Sequence, residues 1–260
     1  MFTVTYEQLN VWLTAFLWPF VRILALLATA PALGDKSLPN RVKLGLAGFI
    51  TLIVAPTIGA LPQVTVFSAQ GVWIIVNQFL IGAALGFTMQ IVFGAVQAAG
   101  DIIGLSMGLG FATFFDPHAA GSTDVMSRYM YMLAILTFLA LDGHLQVISA
   151  LVQTFQAVPV GANVLGANGW RTLVGFGSTV ISAALLLSLP IVTALLVTNL
   201  ALGILNRAAP QIGVFQVGLP VTVITGLLLI QLMLPNMMPF FARIFEAGIQ
   251  ELGRVAVGFR

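Results

Sequence analysis

Two charge-free runs, Thr172–Asn206 and Ala208–Ala242, limit most strongly what this chain can fold into. Each run is longer than the ~20 apolar residues that an α-helix needs to cross the hydrocarbon core of a membrane. Of the 260 residues, 59% are hydrophobic and 7% are charged, whereas soluble domains carry about 25% charged residues. The sequence therefore predicts an all-α integral membrane protein.

The two runs predict a helical hairpin over residues 172–242. Only Arg207 separates them, and Pro210 follows it closely, as expected for a connecting turn. Pro190 and Pro220 lie inside the runs. Because proline has no amide hydrogen and clashes with the preceding turn, both helices are expected to be kinked.

Three further apolar segments precede the hairpin, namely Val11–Ala32, Leu44–Leu61 and Val72–Gly100. The Ala55-Pro56 step inside the second segment is expected to kink its helix or to end it early. The densest polar stretch, Gly34–Lys43, lies between the first two segments, and its three basic residues outnumber its single aspartate. The positive-inside rule places this stretch on the cytoplasmic side.

A simple count of membrane crossings leads to a conflict. The apolar segment Tyr129–Leu141 is too short to span alone, and Asp142-Gly143-His144 interrupts it. Six spans counted from a cytoplasmic Gly34–Lys43 would put both termini outside, together with the mildly amphipathic, basic tail Arg243–Arg260. Such a tail suits a membrane surface or a cytoplasmic partner. Either one segment does not span or the chain is not a conventional serpentine bundle, and the short segment and many prolines favour the second interpretation.

Small residues form two rows along the third apolar segment and just beyond it, one with spacings of four and eight and one that starts at Gly100 with a spacing of four. Rows of this kind let the backbones of two helices approach closely. The predicted helix-packing residues are Gly82, Gly86, Gly94, Gly100 and Gly104.

Several charged side chains are expected to contact protein rather than lipid. Arg22 lies near the middle of Val11–Ala32, where a cation costs roughly 2.5–3.5 kcal/mol on insertion scales. A neighbouring subunit is its favoured partner, while a paired interior charge and a side chain bent toward the interface remain alternatives. The candidate subunit contacts are Arg22, Lys36, Arg41, Lys43, Asp101 and Arg207.

The stretch Gly104–Thr123 is apolar and yet unsuited to one long helix, because four glycines and a proline interrupt it and no charge precedes Asp116. In a membrane protein, irregular apolar backbone persists where it is buried in protein or lines a cavity. The hypothesis is a flexible loop that closes a passage, and a loop simply packed between helices is the alternative. The predicted gate residues are Met107, Phe111, Phe114 and Phe115, and the predicted hinge residues are Gly108, Gly110 and Gly121.

Motifs for catalysis or for metal and nucleotide binding are weak or missing in the sequence. Gly104–Gly108 formally matches G-x-S-x-G, but a hydrolase elbow needs a preceding strand and Asp and His partners. The two histidines lack metal-ligand spacing, no P-loop motif occurs, and the ten scattered basic residues give no nucleic-acid footprint. We predict a non-enzyme without catalytic residues, cofactor or metal. A proton- or solute-coupled transporter is the alternative function, with a relay of Asp101, Asp116 and Asp142, although carboxylates that cap helices or lie near water explain these residues as well.

Four stretches of the chain carry a resemblance to a known family. They are PALGDKSLPNRVKLGLA at Pro31–Ala47, GLGFATFFDP at 108–117, DGHL at Asp142–Leu145 and NLALGILNRAAPQIGVFQVGLP at Asn199–Pro220. Together they resemble the FliR family of flagellar biosynthetic proteins, part of the type III secretion export apparatus. Many members read Asn-Gly-His in the third stretch, so Asp142 is a departure.

The resemblance implies a single-copy subunit of a helical export gate in the bacterial inner membrane, at the flagellar basal body. Its implied partners are FliP and FliQ subunits, an FlhB-type switch subunit and unfolded export substrates. It further implies a FliP-like helical region over 1–171, a FliQ-like hairpin over 172–242 and the basic tail over 243–260. The family's plug corresponds to residues 106–122. Kinked hairpins packed in such an assembly, rather than serial crossings, would resolve the topology conflict.

Overall fold

The computed structural model describes residues 5–34, 38–59, 61–62, 64–111, 125–161, 166–209 and 214–260. These residues form helices and turns, and no strand occurs among them, so the predicted all-α fold class is confirmed. The α-helices are α1 (Tyr6–Thr29), α2 (Asn40–Val54), α3 (Ala69–Ser106), α4 (Val125–Ala140), α5 (Gly143–Ala157), α6 (Ala167–Ala208) and α7 (Val214–Gly258), and short 3-10 turns cover Ala55–Thr57 and Leu109–Phe111.

In the described part of the chain, four helices are long and apolar enough to cross a membrane. They are Glu7–Thr29, Ala69–Ser106, Ala167–Ala208 and Val217–Gly258. The pair α4 and α5 adds a fifth span if its two bent halves are counted as one. These spans fit the predicted membrane protein, while the expected departure from a conventional serpentine bundle remains a prediction.

The ends of the first two helices follow from local sequence. Thr5 and Gln8 form a capping box at the start of α1, in which the Thr5 hydroxyl accepts from the Gln8 amide and the Gln8 side chain accepts from the Thr5 amide. Helix α2 ends at Val54 and gives way to the 3-10 turn Ala55–Thr57. The helix therefore ends where the sequence predicted, because Pro56 cannot donate a helical hydrogen bond.

The break between α4 and α5 lies at the Asp-Gly-His stretch. The chain turns by 69° there, and Asp142 adopts φ 54° and ψ 26°, the left-handed helical region. Aspartate and asparagine tolerate this region better than most residues, because their short polar side chains can form local hydrogen bonds. The predicted interruption at Asp142-Gly143-His144 is thus a sharp bend between α4 and α5.

The last two helices are longer than the charge-free runs that predicted them. Helix α6 starts at Ala167 and α7 continues to Gly258. The predicted basic tail, Arg243–Arg260, is continuous with α7. Four of its apolar side chains are buried within the chain, namely Phe245, Leu252, Val255 and Phe259. Pro190 and Pro220 lie inside the helices as predicted; the kinks expected at them remain predictions.

The described residues belong to two compact units, and three helices run from one unit into the other. The first unit comprises Met1–Ile91, Asp142–Gly177 and Phe245–Arg260. In it, α1 packs closely against the first half of α3, because Gly82 and Gly86 of α3 face the α1 backbone. The end of α7 packs on the start of α6, where the rings of Trp170 and Phe259 meet edge to face at 5.1 Å.

The second unit comprises Val92–Leu141 and Ser178–Ile244. Its core is built around the second half of α3. The Phe93 ring meets the rings of Tyr131 and Phe138 of α4 edge to face, at 5.8 and 5.4 Å. Thr137 of α4 and Met238 of α7 are also in contact, at 3.1 Å between hydroxyl and sulfur.

Candidate functional site

The predicted plug begins where α3 ends, in the second unit. The Met107 amide still donates to the Ile103 carbonyl at 2.9 Å, whereas the Gly108 amide donates to Leu105 at 3.0 Å. Gly108 then adopts φ +84°, a conformation that glycine adopts at no steric cost and that commonly ends helices. The chain therefore leaves the helical path at Gly108, one of the predicted hinge residues.

Met107, the first of the predicted gate residues, packs against α7. Its side chain is wholly buried, and its sulfur and two side-chain carbons lie against Gly226 of α7. Its carbonyl accepts a hydrogen bond of 2.9 Å from the Thr222 hydroxyl, also on α7. Met107 therefore lies at the base of the segment, and its predicted part in gating remains a prediction.

The described chain resumes close to this anchor. Helix α4 starts at Val125, and a Cβ on Gly104 would lie 3.2 Å from the Met126 Cβ. One turn earlier, a Cβ on Gly100 would lie 2.6 Å from the Ser127 Cα, and the Ser127 hydroxyl donates to the Gln97 carbonyl at 3.0 Å. The end of α3 and the start of α4 therefore form one tightly packed junction.

The other predicted gate and hinge residues are described only in part. The Phe111 backbone ends the 3-10 turn Leu109–Phe111, and a Cβ on Gly110 would lie 3.1 Å from the Leu105 side chain. Phe114, Phe115 and Gly121 lie outside the described residues.

The predicted helix-packing glycines differ in their surroundings. A Cβ on Gly82 would overlap the Arg22 carbonyl, and a Cβ on Gly86 would overlap the Thr29 hydroxyl and come within 2.9 Å of the Leu26 carbonyl. Gly100 and Gly104 face α4, as described above. Gly94 is different, because no described atom lies within 4 Å of the position its Cβ would take.

A buried cation lies in the first unit. Arg22 has no solvent-exposed surface, and its Nε donates to the Gln78 side-chain carbonyl of α3 at 2.7 Å. Its two terminal nitrogens donate to the carbonyls of Thr154 and Val158 at 3.2 and 3.0 Å. Phe155 stacks on the guanidinium, with 4.2 Å from Cζ to the ring centroid. The sequence favoured a partner in another subunit, whereas the structure satisfies this side chain within its own chain.

The partners of Arg22 explain how a buried cation is tolerated without a carboxylate. Thr154 and the C-cap residue Val158 lie at the C-terminal end of α5, where the helix dipole is negative and carbonyls run out of helical donors. The Thr154 carbonyl also accepts from the Val158 amide at 2.8 Å, so Arg22 is its second donor. The guanidinium therefore caps α5 and finds its counter-charge in the aligned peptide dipoles. Because Gln78 belongs to α3, the Arg22 side chain links its own helix, α1, to both α3 and α5.

The remaining charged candidates lie nearer the surface of the described chain. Arg41, Asp101 and Arg207 are exposed, which leaves them accessible to lipid, solvent or a partner. The Lys43 ammonium donates to the Gly34 carbonyl at 2.7 Å and so closes the turn before α2. Lys36 lies outside the described residues.

Sequence reasoning missed the residues of α7 that hold the base of the predicted plug. Thr222 and Gly226 are one helical turn apart, so they share a face of α7. This small-x-x-x-small pair is the signal that could have marked a close helix contact, but it does not reveal that Met107 is the partner. The partners of Arg22 were missed for a similar reason, since they lie 56 to 136 residues away in the sequence.

Comparison with known proteins assigns the family. The model of the family described as "Bacterial export proteins, family 1" matches residues 13–248. The chain belongs to this family. This export-family chain is 49% identical over 246 residues to the flagellar biosynthetic protein FliR of Escherichia coli (strain K12), covering 95% of this chain and 94% of that protein.

Two other FliR proteins extend the comparison. The one from Pectobacterium carotovorum subsp. carotovorum is 47% identical over 242 residues, covering 93% of this chain and 92% of the relative. The one from Aquifex aeolicus (strain VF5) is 31% identical over 256 residues, covering 95% and 97%. The resemblance that the four sequence stretches indicated is thereby confirmed, and the chain is a flagellar export protein of the FliR type with several membrane-spanning helices.

Proposed function

We propose that this chain is a single-copy subunit of the flagellar type III export gate, and that residues 106–122 carry the plug of its channel. Membership of the bacterial export family supports the role in export. One structural observation supports the plug. Both ends of an apolar, glycine-containing segment are fixed at the junction of α3 and α4, as a plug that stays attached to its channel wall would require.

The chemistry of the segment suits a seal that yields to a passing chain. Phenylalanine side chains in a constriction exclude water and ions by dewetting. Aromatic and apolar groups make no directional bonds that an arriving polypeptide would have to break. Glycine supplies the backbone conformations that a moving loop visits, and Gly108 already adopts one of them.

The exposed apolar surface of α6 and α7 supports the proposed partners and location. In the most apolar 18-residue stretches of α6 and α7, only 28% and 22% of the residues are buried within the chain, compared with 61% in that of α3. We propose that FliP- and FliQ-type subunits and an FlhB-type switch subunit cover much of this exposed apolar surface in the bacterial inner membrane. Unfolded flagellar proteins are the proposed substrates.

Deleting Gly110–Phe115 tests the plug. We expect the deletion to leave assembly with partner subunits intact, as measured by native mass spectrometry of the purified complex. In proteoliposomes, the closed gate of the variant should conduct ions, whereas the unmodified gate should not. Phe67→Ala is the matched control, since this side chain is 91% exposed and lies outside the segment. Ion conductance unchanged by the deletion would contradict the plug assignment, and a stable, lone monomer would contradict the gate itself.

A further inference from the structure

The end of α3 is clamped onto α7 at two points within the second unit. The Met107 carbonyl is one of the last of its helix, where intrahelical donors run out, and the Thr222 hydroxyl lies 2.9 Å from it. The single hydrogen of this hydroxyl is shared with the Leu219 carbonyl of α7, at 3.0 Å. Thr222 is buried, so water cannot readily replace that donor. The two residues are 115 positions apart in the sequence, which excludes a merely local capping contact.

The second point is a steric fit one turn further along α7. A Cβ on Gly226 would lie 2.6 Å from the Met107 Cγ and 2.7 Å from its sulfur and terminal methyl group. Because Met107 is wholly buried, its side chain has little room to move aside. Any larger residue at position 226 would force the Met107 side chain to shift away from α7.

We propose that Thr222 and Gly226 are the positioning residues of the plug. They hold Met107 on α7, so that the proposed plug leaves the end of α3 from a fixed point at Gly108. This inference rests on the proposed function, and it assigns to α7 the task of holding the plug's base. This clamp is static, so that the contacts of Met107 with Thr222 and Gly226 persist both when the gate is shut and when a substrate passes.

Removing the hydroxyl tests the hydrogen bond. The loss of one hydrogen bond of this kind changes the equilibrium constant for local opening by roughly threefold to tenfold. We therefore expect Thr222→Val to speed hydrogen exchange of the Met107 and Gly108 amides by that factor in the assembled gate, and to raise ion leak through the closed gate. Thr222→Ser should restore both values. Thr225→Val is the matched control, because Thr225 lies on the same helix and is only half-buried.

Filling the glycine tests the steric contact independently. Gly226→Ala should raise ion leak and amide exchange at the same two residues while the complex still assembles. Gly253→Ala, also on α7, is its control, because no described atom lies within 4 Å of a Cβ there. A leak in both control variants as large as in Thr222→Val and Gly226→Ala would overturn the assignment.

A reversible crosslink tests whether the clamp is static. The chain has no cysteine, so the double substitution Met107→Cys and Gly226→Cys creates a single possible disulfide. We expect it to form on oxidation, and we expect the oxidised and reduced gates to export substrate at the same rate. Loss of export on oxidation, regained on reduction, would show that the clamp must open and would overturn the static anchor.

The failure of this inference can be distinguished from the failure of the proposed function. If deletion of Gly110–Phe115 opens a leak but Thr222→Val and Gly226→Ala leave leak and exchange unchanged, the plug stands and the clamp is refuted. If the deletion opens no leak, the plug itself is refuted. In that case faster amide exchange in Thr222→Val still reports the hydrogen bond, but no positioning role remains.

Discussion

Replacing Arg22 by methionine is the sharpest test of the packing in the first unit. The substitution keeps an unbranched apolar side chain and removes the charge together with every hydrogen-bond donor. The carbonyl of Thr154 keeps a partner, because the Val158 amide also donates to it at 2.8 Å. The Gln78 side-chain carbonyl and the Val158 carbonyl lose the donors that Arg22 supplies.

The expected magnitude follows from those two orphaned acceptors. An unsatisfied buried polar group costs about 1–3 kcal/mol, so two of them cost about 2–6 kcal/mol. Removal of a desolvated cation offsets part of this loss. We expect Arg22→Met to lower the free energy of unfolding by about 2–4 kcal/mol.

The same reasoning predicts a partial rescue. In the double variant Arg22→Met and Gln78→Leu, one orphaned acceptor is removed, and about 1–3 kcal/mol should return. Arg22→Lys should be at least as harmful as Arg22→Met, because the ammonium remains buried but lacks the planar fork that reaches three acceptors. Arg41→Met, at an exposed arginine, should change stability by no more than about 0.5 kcal/mol.

Unfolding of the purified complex that contains each variant, driven by a denaturing detergent and followed by circular dichroism, measures these differences. Hydrogen exchange of α5 adds a local readout, since its last turn should open more often once the cap is lost. If Arg22→Met were as stable as the unmodified chain and the double variant were no better, the argument from orphaned acceptors would be refuted.

Two further predictions concern the backbone. At the α4–α5 corner, Asp142→Gly should be neutral or slightly stabilising, whereas Asp142→Val should cost about 1–2 kcal/mol, because a β-branched residue is strained at φ 54°; equal melting temperatures of the two variants would contradict this. At the α1–α3 contact, Gly86→Ala should lower the free energy of unfolding by about 1–3 kcal/mol, because its Cβ would meet the α1 backbone. Gly94→Ala should raise it by up to about 1 kcal/mol through helix propensity, since nothing described lies within 4 Å there, and detergent unfolding of the pair tests both signs.

Features that depend on residues close together in the sequence could be predicted. The charge-free runs predicted α6 and α7, and Pro56 and Asp142 marked where α2 and the short apolar segment stop. These features follow from hydrophobicity and backbone geometry, which act over a few turns. The exact ends could not be predicted, because polar residues at Asn168 and Glu251 did not prevent the helices from continuing.

Features that depend on distant contacts could not be predicted. The sequence indicated that Arg22 needed a partner, but periodicity cannot identify a carbonyl at the end of another helix as that partner. It indicated that Met107 was apolar and near a hinge, but not that Gly226 would leave a space for it. In both cases the function of the side chain depends on which helix lies beside it, and that information is spread over the whole chain.

The double attachment at α3 and α4 has a consequence for how fast a channel could reseal. Whatever its conformation, a chain of this length between Met107 and Val125 reaches at most about 30 Å from both ends. For the proposed plug, closing after a cargo has passed would therefore be a unimolecular event at high effective concentration rather than a search by diffusion. Resealing should then proceed at the same rate however dilute the complexes are in the membrane.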